Sequence, residues 1–92
     1  MDIRIGKVAH YYSHLGVAVL ELDAELKLGD TVLFLGHTTE LFQEVTSLEV
    51  NHQKIQSAGP GQEVALKVDG QVRQDDLVYK VVQVEVVPQM PV

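Results

Sequence analysis

The residues best suited to chemistry are the four histidines, His10, His14, His37 and His52. His10 and His14 are four positions apart, a spacing that brings two metal ligands together only when both lie on one helix. They flank a predicted turn at residues 13–16 instead, and the chain has no cysteine to supply thiolate ligands. We therefore expect no metal site and no cofactor, and we interpret the histidines as turn or surface residues.

No arrangement of residues typical of an active site is evident. The serines at 13, 47 and 57 lie in no nucleophile-elbow motif. Asp75 and Asp76 are adjacent, so their carboxylates point apart in a strand or loop and do not form an acid–base pair. The phosphate-binding motif Gly-x-x-x-x-Gly-Lys-Ser/Thr is missing as well. The sequence thus predicts no catalytic residues, no nucleotide binding and no enzyme.

Charge and composition favour some partners over others. The 92 residues carry 13 acidic and 7 basic side chains, a net charge of −6, with no cluster of basic residues. Binding to nucleic acid requires the opposite sign, so a protein partner is favoured over RNA. No apolar run approaches the roughly 20 residues of a membrane-spanning helix, and the first residues lack the apolar core of a signal peptide. We expect a cytoplasmic protein that does not contact membranes.

The segments that position these residues are predicted to be β-strands. Gly29 and Asp30 have the turn chemistry that starts a strand at Thr31, and the apolar run 31–35 is typical of a strand buried on both faces. Apolar alternation predicts further strands at 2–12, 16–22, 41–50, 64–68 and 77–87. A change of alternation within 41–50 indicates a bulge near Thr46 and Ser47. The pattern predicts one all-β domain over 1–87, closed or nearly closed, and a tail at 88–92 that begins with Pro88.

Several motifs, taken in order, carry a family resemblance. The stretches 26–32 (Leu-Lys-Leu-Gly-Asp-Thr-Val), 45–51 and 58–68 resemble the second domain of translational GTPases such as elongation factor Tu. The opening 5–12 (Ile-Gly-Lys-Val-Ala-His-Tyr-Tyr) and the closing Asp-x-Val-Tyr-Lys-Val that ends at Val81 are similar to the barrel appended to U32-family peptidase-like proteins. The resemblance implies a six-stranded antiparallel closed β-barrel of the translation-factor second-domain type.

The resemblance also implies candidate binding residues. In elongation factor Tu this domain holds the acceptor end of aminoacyl-tRNA, and Glu49 keeps a residue type of that pocket. His52 stands where the family has an arginine, and Lys67 stands where it has a leucine. Tyr11 and Tyr12 are adjacent, so one of them should face outward as a platform for stacking or for a protein contact.

We therefore expect a non-enzymatic interaction module. It would dock to a partner protein, such as a separately encoded U32-type subunit, in a translation or RNA-modification context. The alternative is an RNA-binding module that contacts tRNA or rRNA through its cations. The candidate binding residues are Tyr11, Tyr12, Glu49, His52, Lys54 and Lys67.

Overall fold

The computed structural model describes residues 2–82, and within that range the chain is all-β, as expected. The strands in chain order are β1 (Asp2–Tyr12), β2 (Val17–Leu22), β3 (Leu26–Lys27), β4 (Thr31–Leu35), β5 (Glu40–Glu44), β6 (Glu49–Val50), β7 (Gln53–Lys54), β8 (Ser57–Ala58), β9 (Glu63–Lys67) and β10 (Leu77–Val81). Residues 2–82 contain no helix able to cross a membrane.

The sheet topology differs from the expected closed barrel of six strands. Eight strands form one antiparallel sheet in the order β5-β4-β10-β1-β2-β9-β6-β7, and β3 pairs with β8 in a second sheet. No ladder joins β5 to β7, so the main sheet is not closed by backbone pairing and the six-stranded closed barrel is not confirmed. Several strands have only two residues, which is too short to produce the apolar alternation from which strands are predicted.

One apolar core lies inside the curved sheet. Its fully buried members come from both halves of the sheet, including Phe34 of β4 and Val64 of β9. Two irregularities in β1, between Arg4 and Gly6 and between Val8 and His10, interrupt the register with the neighbouring strands. Bulges of this kind bend a strand and increase its twist, which lets the long β1 wrap around the core.

The turn before β4 has the predicted geometry. Gly29 has a φ of 89°, in the left-handed region that glycine occupies without strain. The carboxylate Oδ2 of Asp30 accepts a hydrogen bond from the backbone N–H of Lys27 at 2.9 Å, which ties the two ends of the turn together. In β4 the side chains of Val32, Leu33 and Phe34 are all buried, as the uninterrupted apolar run predicted.

The predicted strand at 41–50 is two strands with a gap. β5 ends at Glu44, β6 begins at Glu49, and residues 45–48 belong to no strand. The change of alternation near Thr46 and Ser47 therefore marks a break in the ladder. The predicted extension of the last strand to Val87 and the predicted tail at 88–92 lie outside the described residues.

Candidate functional site

The gap between β5 and β6 opens a groove beside β9. We call it the β9 groove; it has a volume of about 390 Å³. Its walls combine apolar and charged side chains, namely Val17, Leu28, Thr46, Ser47, Leu48, Glu49, Lys54, Ile55, Leu66 and Lys67. The volume falls within the range of about 300–1,000 Å³ that is usual for ligand sites.

The groove exists because β9 is fully paired on only one side. β2 pairs with β9 along its whole length, from Val17 opposite Lys67 to Glu21 opposite Glu63. On the other side the ladder with β6 consists of one residue pair, Glu49 opposite Ala65. The edge of β9 that faces residues 45–48 therefore has no continuous partner strand.

The backbone of Thr46 and Ser47 is unpaired along this wall. Within residues 2–82, neither the amide nor the carbonyl of either residue has a hydrogen-bond partner. Thr46 is exposed, Ser47 is half-buried, and both residues line the groove. The groove thus offers main-chain donors and acceptors as well as side chains.

Side chains bridge the gap between residues 43–47 and the end of β9, where no strand ladder forms. We call this gap the seam. Gln43, which is 6% exposed, donates from Nε2 to the carbonyl of Lys67 at 2.8 Å, and its Oε1 accepts from the amide of Asp69 at 2.7 Å. The hydroxyl Oγ of Ser47 accepts from the amide of Lys67 at 3.1 Å. Both peptide groups of Lys67 are therefore fixed, which holds this residue in place at the wall of the groove.

The charged residues of the groove come from three neighbouring strands. Glu49 of β6 lies opposite Lys54 of β7 and also opposite Ala65 of β9, and Lys67 is two residues further along β9. Three of the predicted binding residues, Glu49, Lys54 and Lys67, therefore line one groove. None of the three forms an ion pair within the described range.

The two tyrosines face opposite ways. Tyr12 is 48% exposed, whereas Tyr11 is half-buried and packs against the core. Tyr12 pairs with Val17, which in turn pairs with Lys67, so the three residues form one row across β1, β2 and β9. The exposed tyrosine thus extends the surface that begins at the groove, and Tyr11 is not part of it.

His52 lines a second depression, which lies on the other side of Glu49 and has a volume of about 240 Å³. It stands in the tight turn between β6 and β7 with a φ of 64°, next to Asn51 with a φ of 51°. Glu49 and Glu63 line the same depression. Glu49 therefore lies between the β9 groove, which contains two lysines, and the second depression, which contains a second carboxylate.

The residues that shape the groove are not among those predicted from the sequence. Val17, Ile55 and Leu28 supply its apolar walls, and Gln43 holds its seam. A signal for Gln43 was present, because it lies two residues from both Leu41 and Val45 and so shares their inward face in the predicted strand. A polar residue at such a position requires a buried hydrogen-bond partner.

Comparison with solved structures identifies the fold. The C-terminal domain of a U32 peptidase from Geobacillus thermoleovorans superimposes with a TM-score of 0.82, over 87% of this chain and 93% of that domain, at 22% sequence identity. A selenomethionine form of the same domain gives a TM-score of 0.77. The chain has the fold of the U32 C-terminal domain. The U32 part of the resemblance is thereby confirmed, whereas the likeness to elongation factor Tu is not shown.

Comparison with curated proteins finds relatives named as peptidases. An uncharacterized protease of Methanocaldococcus jannaschii is 41% identical over 78 residues, or 84% of this chain. A collagenase of Porphyromonas gingivalis is 35% identical over 80 residues, or 85% of this chain. The chain spans about a fifth of the length of these relatives, 19% in each case. No protein-family profile matches the chain.

These names overturn two expectations about function. The hypothesis of a module docking in a translation or RNA-modification context, with RNA binding as its alternative, is wrong, because the relatives are named protease and collagenase. The expectation that the chain is not an enzyme is corrected for the same reason, since its relatives bear peptidase names. The sequence motifs predicted the all-β class and the likeness to the U32 domain, whereas the translational role was inferred from the resemblance to elongation factor Tu.

Proposed function

We propose that this chain is the polypeptide-binding domain of a U32-type peptidase and that it holds an extended stretch of substrate in the β9 groove. The observation that carries the proposal is the unpaired backbone of Thr46 and Ser47 at the wall of the groove. An extended peptide can satisfy such groups by main-chain hydrogen bonds, as peptides do when they add to an exposed strand edge.

The apolar walls suit a polypeptide ligand as well. Leu28 is 41% exposed, and Val17 and Ile55 are half-buried, so each retains apolar surface that a ligand side chain can cover. Burying a medium-sized apolar side chain contributes about 1.5–3 kcal/mol, enough to add to the main-chain bonds without requiring a deep pocket. The groove thus supplies backbone recognition together with pockets for side chains.

The names of the relatives are consistent with a polypeptide ligand. A collagenase and a protease both act on polypeptides, and the matched segment is about a fifth of each relative. A domain of this size that binds the chain to be cut would raise the local concentration of substrate near the catalytic part. Tyr12, which continues the row of Val17 and Lys67, would extend the contact with the bound chain.

Binding of denatured polypeptide to the purified chain tests the proposal. Fluorescently labelled denatured collagen and unfolded casein serve as probes, and Val17→Asp places a carboxylate in the groove wall. Leu15→Asp is the matched control, because Leu15 is 69% exposed and does not line the groove. We expect Val17→Asp to weaken binding about tenfold or more, and Leu15→Asp to leave it unchanged. Absence of binding by the wild-type chain, or equal losses in both variants, would refute the proposal.

A further inference from the structure

We infer, on the basis of the proposed polypeptide-binding function, that the groove selects segments with an acidic and a basic residue about four positions apart. The acidic residue would lie beside Lys67, and the basic residue would lie beside Glu63. This preference follows from how the charges are placed on both sides of Glu49.

The two lysines of the groove differ from the others in the described range. Lys7, Lys27 and Lys80 each pair with a carboxylate, at 3.5, 3.1 and 3.8 Å. Lys54 and Lys67 form no ion pair within residues 2–82, and both line the β9 groove. A groove with two such cations and one carboxylate favours an anionic side chain, although the chain as a whole has a net charge of −6.

The second depression has the opposite preference. It contains the carboxylates of Glu49 and Glu63 beside the imidazole of His52. Glu63 forms no ion pair with any residue between 2 and 82. A basic ligand side chain would therefore be favoured here, on the far side of Glu49 from the lysines.

The distance between the two charged sites, at Lys67 and at Glu63, follows from the geometry of β9. Lys67, Ala65 and Glu63 alternate with the buried Leu66 and Val64, so they share the outward face of the strand. Lys67 and Glu63 are four residues apart, which in a strand corresponds to about 13 Å. An extended ligand that lies over the outward face of β9 has the same rise per residue, so its own charges must also be about four residues apart. Between them lie the uncharged Ala65 and its neighbour Val19, together with Glu49, which pairs with Ala65 from β6.

Binding of short synthetic peptides by fluorescence anisotropy at about 50 mM salt tests the inference. Three peptides of eleven residues share one apolar sequence; the first has Asp then Lys four positions later, the second has Lys then Asp, and the third has Asn and Gln. We expect one of the charged peptides to bind about two- to fivefold more tightly than the neutral one, the gain of a partly exposed ion pair. Lys67→Gln should abolish that gain, whereas the matched control Lys27→Gln, at an exposed lysine that lines neither the groove nor the second depression, should retain it.

The outcomes separate this inference from the proposal on which it rests. If the neutral peptide binds as tightly as both charged ones, the charge preference is wrong and the polypeptide-binding function stands. If the gain survives Lys67→Gln, the placement of the acidic residue is wrong. If none of the peptides binds, the proposed function fails, and the charge preference fails with it.

Discussion

The side chain of Gln43 hydrogen-bonds to the backbone beside Lys67 in the way that a neighbouring strand would. Its Nε2 donates to the Lys67 carbonyl at 2.8 Å, and its Oε1 accepts from the amide of Asp69 at 2.7 Å. The carboxamide thus presents a donor and an acceptor side by side, as a backbone peptide group would. One side chain links β5 to the end of β9 where no ladder does.

Replacing Gln43 should therefore destabilise the fold. Gln43→Leu keeps a similar volume but leaves the carbonyl of Lys67 and the amide of Asp69 without partners, at a cost of about 1–3 kcal/mol in the free energy of unfolding. Gln53→Leu is the control, because Gln53 is exposed on β7. Urea denaturation of both variants measures the difference. A Gln43→Leu midpoint equal to that of the control would show that the carboxamide does not hold the seam.

The turn before β4 should be sensitive to backbone strain alone. A Cβ added at Gly29 meets no atom within 4 Å, so the cost of Gly29→Val arises from its φ of 89°. We expect a loss of about 1–3 kcal/mol. Gly59 is the matched control, since a Cβ there is equally free of contacts and its φ is not in the left-handed region. Thermal unfolding that ranks the two valine variants equally would argue against strain at Gly29.

Gly6 should tolerate no side chain, for a steric reason. A Cβ at this position would overlap the backbone carbonyl oxygen of Glu21 in the paired strand β2. Backbone atoms in a ladder cannot move aside cheaply, so Gly6→Ala should lower stability by about 1–3 kcal/mol. For a domain of this size that corresponds to a fall of roughly 4–8 °C in Tm per kcal/mol. An unchanged Tm by differential scanning calorimetry would contradict the close approach of β1 and β2.

Lys80 should contribute more to stability than Lys27 does. Its Nζ donates to the carbonyl of Glu25 at 2.9 Å and lies 3.8 Å from Oδ2 of Asp30, and its side chain is only 23% exposed. Lys27 pairs with Glu25 at 3.1 Å, but its side chain is 59% exposed, and such pairs contribute little. We expect Lys80→Met to cost about 1 kcal/mol and Lys27→Met close to none. Chemical denaturation that shows the reverse order would refute this ranking.

The long strands could be predicted from the sequence because their alternation is strong. The apolar run at Val32, Leu33 and Phe34 and the glycine turn before it specify β4 and its entry. The seam could not be predicted in the same way. It depends on two-residue strands without periodicity and on Gln43, whose partners Lys67 and Asp69 are more than twenty residues away in sequence.

The candidate site was predicted in part, for a similar reason. Family resemblance and charge drew attention to Glu49, Lys54 and Lys67, and the pairing of β6 with β7 and β9 brings them together. The apolar wall at Val17 was not foreseen, because it comes from the opposite half of the chain through the β2–β9 ladder. Tyr11 was among the candidate binding residues because the sequence alone does not show which of two adjacent strand residues faces outward.

The most direct test of polypeptide binding is an NMR titration of the ¹⁵N-labelled chain with an unfolded peptide from denatured collagen. Binding in the β9 groove predicts that the largest amide shifts fall on Thr46, Ser47 and Lys67, and that Thr46 and Ser47 gain protection from hydrogen exchange as their peptide groups become paired. Amides on the far strand β4 should not shift. Large shifts on β4 with none at residues 46–48, or no shifts at millimolar peptide, would contradict the account.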